Sequence, residues 1–399
     1  MKIVQIGGAL NGAQKIIEEA IHHRAIEHGY ESYVFYAWGK SDEPRIVKYE
    51  NKFENLITRT LRRYLGKLSC FSALQTRRLI RKIESIHPDI IHLHVLHHGC
   101  TDFNMLFKYL AKAQIPVVYT MHDMWAFTGG CYHYTSRGCA GYQRGCLNCP
   151  ASVKELDVAR FMVPCSYRAK RTLLEQLKRV HFVTVSDWVK QEMQNSFLAG
   201  YPIDVIHNGI DVDHLPLPAK NTESSPDAKR ILLSVAASWS EKKGIHILLE
   251  LAEKLGSQYQ LWLVGAADEE IQKRAPANVV FLGYCRDRAL LFQYYNNADL
   301  YVSASQEETF GMTFVEAAMM GTRSVGYAGT AIEETLNSVY GRAVKECSTD
   351  AYVEAIVQLF QHENQKLMTE QVAQIRDNFS IEHMAREYME LYTKEMQTD

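Results

Sequence analysis

Short apolar runs, many of them β-branched, recur along the chain with stretches of helical spacing between them. In the first half they read "KIVQIG", "ESYVFYAW", "PDIIHLHV", "IPVVYTMH", "VHFVTVS" and "IDVIHNG". Runs this short, bounded by turn residues and alternating with amphipathic stretches, predict βα units wound around a parallel sheet. A polar stretch at 217–230, "LPAKNTESSPDAKR", breaks the pattern, and "ILLSVAAS", "YQLWLVG", "NVVFLGY", "DLYVSAS" and "RSVGYAG" then restart it. A second parallel sheet is expected. The chain is therefore read as α/β, with an N-terminal domain over 1–208 and a C-terminal domain over 209–379. The last helical pattern, "IEHMAREYMELYTKEM" within 380–399, is amphipathic and able to pack back on the first domain. Open parallel sheets take ligands at the carboxyl ends of their strands, so a cleft between two facing domains is the expected binding site.

The segment "EETFGMTFVE" at 307–316 sets Glu308 and Glu316 on either side of a Phe-Gly step. A strand pattern precedes it, and "TFVEAAMMG" with its closing Gly321 has helical spacing, so it is a strand-to-helix turn. The amides of Gly311, Met312 and Thr313 then open a helix, where unpaired N–H groups and the positive dipole end suit a phosphate. Gly311 lets such a ligand come close. Carboxylates nearby can accept from vicinal sugar hydroxyls. The plainer reading is an acidic helix start that complements the dipole and needs no ligand.

Glu308, Phe310, Gly311 and Glu316 resemble the Glu-x7-Glu motif of the retaining glycosyltransferases of family 4. "PDIIHLH", "TMHDMWAFTGGC", "VSDWVKQEM", "VIHNGID", "EKKGIHILLE", "LVG", "FLGY" and "GTRSVGYAG" follow that family's order across nearly the whole chain. The resemblance implies a GT-B fold of two Rossmann-like domains and a nucleotide-sugar donor, with UDP or GDP as the carrier. It also implies that Glu316 holds the ribose, that Glu308 contacts the donor sugar and that the amides after Gly311 take the pyrophosphate. Lys243 in "SWSEKKG" matches a pyrophosphate-binding lysine, whereas Ser238 stands where the family has an arginine, and Lys242 is a weak substitute. His122 in "TMHDMW" matches a histidine that hydrogen-bonds the transferred sugar; Asp123 either orients it or caps the next loop. Gly12 in "ALNGAQKI", with Gly7 and Gly8 as alternatives, resembles the glycine loop near acceptor and β-phosphate, and Asn208 and Gly209 resemble the interdomain turn. The leaving diphosphate is stabilised by fixed dipoles and cations, so no catalytic metal ion is expected. Glu308 is expected to position the sugar and not to attack it. A nucleotide-sugar 2-epimerase and a catalytically degenerate sugar-nucleotide binding protein are the rival readings.

Composition narrows the partners. A net charge of -2 gives no pull toward nucleic acid. "MKIVQIGG" reads as a first strand and not as a signal peptide, and nine cysteines without one fit a cytoplasmic protein. Cys131, Cys139, Cys146 and Cys149, spaced C-x7-C-x6-C-x2-C, suit a structural zinc, with His133 able to replace one ligand; free buried thiols are the other reading. The basic stretch 59–82 is read first as a solvated helix face. Its alternative is peripheral contact with the inner face of the plasma membrane, where a lipid-linked or other glycan acceptor would reside.

Overall fold

A computed structural model describes the chain except for residues 11, 51–71, 98–100, 153, 154, 213, 214, 216–228, 363–365, 398 and 399. Most of the polar stretch 217–230 and of the basic stretch 59–82 therefore lies outside the described residues. Packing divides the chain into two units, Met1–Gly209 with Ile381–Asp399, and Ile210–Ser380.

In the first unit, seven described strands form one sheet: β1 Lys2–Ile6, β2 Glu31–Tyr36, β3 Ile46–Lys48, β4 Ile90–Leu93, β5 Val117–Met121, β6 Val180–Thr184 and β7 Ile203–Val205. Their order is β3-β2-β1-β4-β5-β6-β7, and every pair is parallel. All residues of β4 and β5 are buried, as expected for strands covered on both faces, which is why these runs carry little alternation. Register sets Gln5 beside His92 and His92 beside Val118. Because side chains alternate along strands, Gln5, His92, His94, Thr120 and His122 share one sheet face.

That face is covered by the helices Gly12–Glu27 and Ile381–Gln397. Ile3, Ile90, Val118 and Val183 pack with Ile17 and Ile21 from one, and with Met384, Tyr388, Met389 and Tyr392 from the other. The last helix is thus part of the first unit's core. Its tyrosines meet the polar stripe, with Tyr392 Oη 2.6 Å from His92 Nδ1 and Tyr388 Oη 2.9 Å from Thr120 Oγ1.

The second unit contains six described strands: β8 Arg230–Ser238, β9 Tyr259–Ala266, β10 Val279–Gly283, β11 Leu300–Ser303, β12 Ser324–Tyr327 and β13 Arg342–Val344. The order β10-β9-β8-β11-β12-β13 is again parallel throughout. Leu232, Leu248, Leu251, Leu263, Val302, Tyr352 and Ile356 form the core of one face. In both sheets the crossovers diverge on either side of the first strand, at β1/β4 and at β8/β11. The loops that follow these strands are where an open sheet leaves a crevice.

Candidate active site

In the second unit, two loops meet beyond β8 and β11. After β8 the chain makes a single turn, Glu241–Lys243, and Gly244 enters the next helix at φ 70°. A Cβ on Gly244 would lie 2.3 Å from the carbonyl oxygen of Ala304, so this loop packs directly on the β11 loop. Lys243 Nζ consequently reaches Glu308 Oε1 and, at 3.3 Å, Ser305 Oγ. Lys242 Nζ binds the buried Glu307 at 2.9 Å, so its charge is largely compensated. Ser238, at the exposed end of β8, brings no charge to the site.

Gly311, at φ 90°, turns the chain into the helix Met312–Met319. A Cβ there would fall 2.9 Å from Ile332 Cδ1 and 3.0 Å from Phe314 Cδ2, so both backbone angle and space call for glycine. The Phe314 amide donates to Gly311 O at 3.0 Å; those of Gly311, Met312 and Thr313 have no acceptor among the described residues. The Thr313 hydroxyl accepts from Tyr301 at 2.7 Å. Glu316, one turn on, is buried; its Oε2 accepts from Tyr295 Oη at 2.9 Å and its Oε1 lies 3.6 Å from Arg288. Burial raises the Glu316 carboxyl, with Arg288 and Tyr295 pulling the other way. Glu308 and Glu316 therefore have separate partners, Lys243 for one and Tyr295 with Arg288 for the other.

In the first unit, His122 leaves the end of β5, and its Nε2 lies 3.2 Å from His94 Nδ1. Burial pushes His122 down to about 4, against the pull of Asp123, so the ring is neutral. Asp123 takes the capping role of its two expected ones. Its Oδ1 accepts from the Trp125 amide at 2.8 Å and its Oδ2 pairs with His97 Nε2 at 2.6 Å. Burial opposes ionisation of Asp123, but His97 and the amide outweigh it and hold the carboxyl well below its usual range. Lys170, buried under this loop, donates to the carbonyls of Trp125 (2.6 Å) and Thr128 (3.2 Å) and lies over the Trp125 ring. Gly12 starts the first helix at φ 54°. At Gly7, a Cβ would fall 2.3 Å from the buried carboxyl of Glu18, so a side chain there would displace that carboxyl.

The zinc expectation finds no support among the described residues. Cys131, Cys139, Cys146 and Cys149 line one pocket, but they are free cysteines, and among the described residues no group of His, Cys, Asp or Glu is placed to hold a metal ion. Two of the sulfurs accept from the backbone: Gly129 N–H donates to Cys146 Sγ at 3.3 Å and Gly141 N–H to Cys139 Sγ at 3.4 Å. Burial raises the Cys131 thiol and pushes Cys146 up to about 12. The described end of the basic stretch is a helix, Ala73–Ile86, that buries Leu79 and Ile83 and exposes Arg77 and Arg81. Among the described residues no helix is long and apolar enough to cross a membrane.

His94, His97, Gln5, Tyr295 and Arg288 were not singled out from the sequence. The two-residue spacing of His92 and His94 in "IIHLHV" carried the signal for a shared face. Nothing local marks Arg288 or Tyr295, which reach Glu316 from a different crossover.

The model of the family described as Glycosyltransferase Family 4 matches residues 11–214, just over half of the chain, and that of Glycosyl transferases group 1 matches residues 229–362. The putative colanic acid biosynthesis glycosyl transferase WcaC of Escherichia coli (strain K12) is 23% identical, with 93% of this chain and 94% of that protein covered. Among solved structures, the sucrose-phosphate synthase of Thermosynechococcus elongatus superposes with a TM-score of 0.71 at 17% identity, covering 99% of this chain and 98% of that one. Anabaena HepE, solved with UDP and glucose, superposes at 0.63 and 17%, covering 99% and 100%. These likenesses extend the GT-B topology over both sheets, and the family match turns the motif resemblance into an assignment: the chain belongs to glycosyltransferase family 4.

Proposed function

We propose that this enzyme transfers a hexose, with retention at the anomeric carbon, from a nucleoside-diphosphate sugar to a glycan or lipid-linked acceptor in the assembly of a cell-surface polysaccharide. The observation that carries the proposal is the turn at 307–313. Three backbone amides without acceptors among the described residues sit at the positive end of a helix, with Lys243 and Glu308 beside them. The amides of Gly311, Met312 and Thr313 bind the diphosphate and stabilise its charge as it leaves, together with Lys243. No metal ion is needed for this. Glu316 accepts from the ribose, Glu308 positions the donor sugar, His122 hydrogen-bonds that sugar and the Gly12 loop serves the β-phosphate.

Close carboxylates in retaining glycosidases include a covalent nucleophile. Here Glu308 is held by Lys243 and acts by position. Mass spectra of the enzyme quenched during turnover are expected to show no sugar adduct on Glu308; an adduct there would replace positioning with a double displacement. The donor reading draws support from HepE, solved with UDP and glucose, and the polysaccharide reading from the name of the colanic acid relative. The site of action is proposed to be the cytoplasm, at the inner face of the plasma membrane.

A second reading is a sugar-nucleotide binding protein without turnover. Ser238 in place of arginine, with Lys242 compensated by Glu307, favours it. Incubation with UDP-, GDP-, ADP- and dTDP-sugars, with and without a panel of glycan acceptors, separates the readings. Acceptor-dependent release of nucleoside diphosphate is the expected result. Isomerised donor without acceptor would mean an epimerase, and binding without turnover would mean the degenerate protein.

A further inference from the structure

Resting on the reading that His122 serves the donor sugar, we propose that Gln5 and His94 are positioning residues that fix the ring tautomer of His122, placing its proton on Nε2. The argument begins at a group with no choice. Gln5 Nε2 lies 3.2 Å from the backbone carbonyl oxygen of Glu18, which can only accept, so the amide nitrogen must face it. The other end, Gln5 Oε1, then faces His94 Nε2 at 3.1 Å, and an amide oxygen can only accept. His94 Nε2 therefore carries hydrogen.

His94 is buried and neutral, so its second nitrogen, Nδ1, is bare. That atom lies 3.2 Å from His122 Nε2, with the two rings nearly parallel at 23°. A bare nitrogen accepts, and His122 Nε2 must donate. In a neutral His122 this leaves Nδ1 as the acceptor nitrogen, suited to a sugar hydroxyl and unable to protonate a leaving group.

The relay is held on its far side as well. His92 packs against His94 with ring centroids 4.0 Å apart and planes tilted by 39°, and is itself tied to Tyr392 (2.6 Å) and Thr120 (2.8 Å). A ring so packed has no room to flip. Burial also disfavours the doubly protonated form that would erase the distinction.

The direct test is a nitrogen-15 histidine spectrum of the full-length wild type, with His122 identified by the signals lost in His122→Gln. A protonated Nε2 with a bare Nδ1 is expected; the opposite tautomer overturns the proposal. Two variants extend it. His94→Leu should mix the His122 tautomers and lower kcat about tenfold or more, with the donor KM within about twofold. His94→Gln, which can still accept from His122 and donate to Gln5, should restore most of both. Unchanged His122 signals in His94→Leu would also overturn the proposal. The spectrum reads the tautomer and turnover of His122→Gln reads the functional role, so the two claims fail separately.

Discussion

Single side chains in this enzyme are tuned mainly by burial. Glu18 is the clearest case. Its carboxyl lies fully inside the first unit, accepts from Gln14 at 2.6 Å, and has its Oε2 without a partner. Burial raises it from 4.5 to about 8, with Gln14 pulling slightly the other way. Below pH 4.5 both folded and unfolded states hold the proton, and the group costs nothing. Between 4.5 and about 8 only the folded state holds it, so stability falls as pH rises, by up to about 1.4 kcal/mol per pH step. Above 8 the loss is complete. Glu18→Gln should therefore gain melting temperature over wild type progressively from pH 5 to pH 8; parallel melting curves across that range would show that Glu18 is ionised in the folded protein. This residue could not be found from sequence, since Glu18 and its exposed-looking neighbours in "KIIEEAIHH" differ only in which side of the helix they occupy. His122, Lys243 and the two glutamates are legible as candidates because each lies beside a strand end or a glycine turn. Their partners were not, because contacts such as His94 with His122 depend on register between separate strands.

Among the elements, the strand-to-helix turn at Gly311 matters most. Its amides can serve the proposed diphosphate only while the backbone holds φ at 90°, and neither that angle nor the space beside Ile332 and Phe314 admits a Cβ. Gly311→Ala should cost roughly 1–3 kcal/mol in strain, and should weaken nucleotide binding more than its stability loss explains. Calorimetry on the variant, well below its melting temperature, checks this. Wild-type affinity would mean that the amides contribute nothing. At this scale the sequence was most informative. The central strands, the turn and the helix after Gly311 followed from period and punctuation, because buried parallel strands read as continuous apolar runs, whereas the three-residue edge strands Ile46–Lys48 and Arg342–Val344 are too short to show a pattern. The cysteine loop is ambiguous at the same scale. Its spacing fits a metal knuckle and free buried thiols alike, and in the fold two of the sulfurs accept from backbone amides.

For the whole molecule, the chain's last helix belongs with its beginning. Met384, Tyr388, Met389, Leu391 and Tyr392 are buried in the first unit, each worth roughly 1.5–3 kcal/mol. Their sum is comparable with the entire stability of a typical domain, about 5–15 kcal/mol. Removing residues 381–399 should abolish hydrogen-exchange protection of Ile90–Leu93 and Val117–Met121, while strands of the unit Ile210–Ser380 stay protected. Retained protection in the first sheet would show that the helix is dispensable. Family membership rests on both units, since one family model matches in each. The donor chemistry proposed above rests on the second.

That chemistry is tested most directly by isothermal calorimetry of UDP, GDP, ADP and dTDP against the wild type and the variants Lys243→Ala and Glu316→Gln. One nucleotide should bind the wild type, about tenfold or more weaker to each variant, since each loses a contact to the bound charge or ribose. Binding of none of the four to the wild type, or equal affinity in all three proteins, would contradict the assignment of the turn at Gly311 as the donor site.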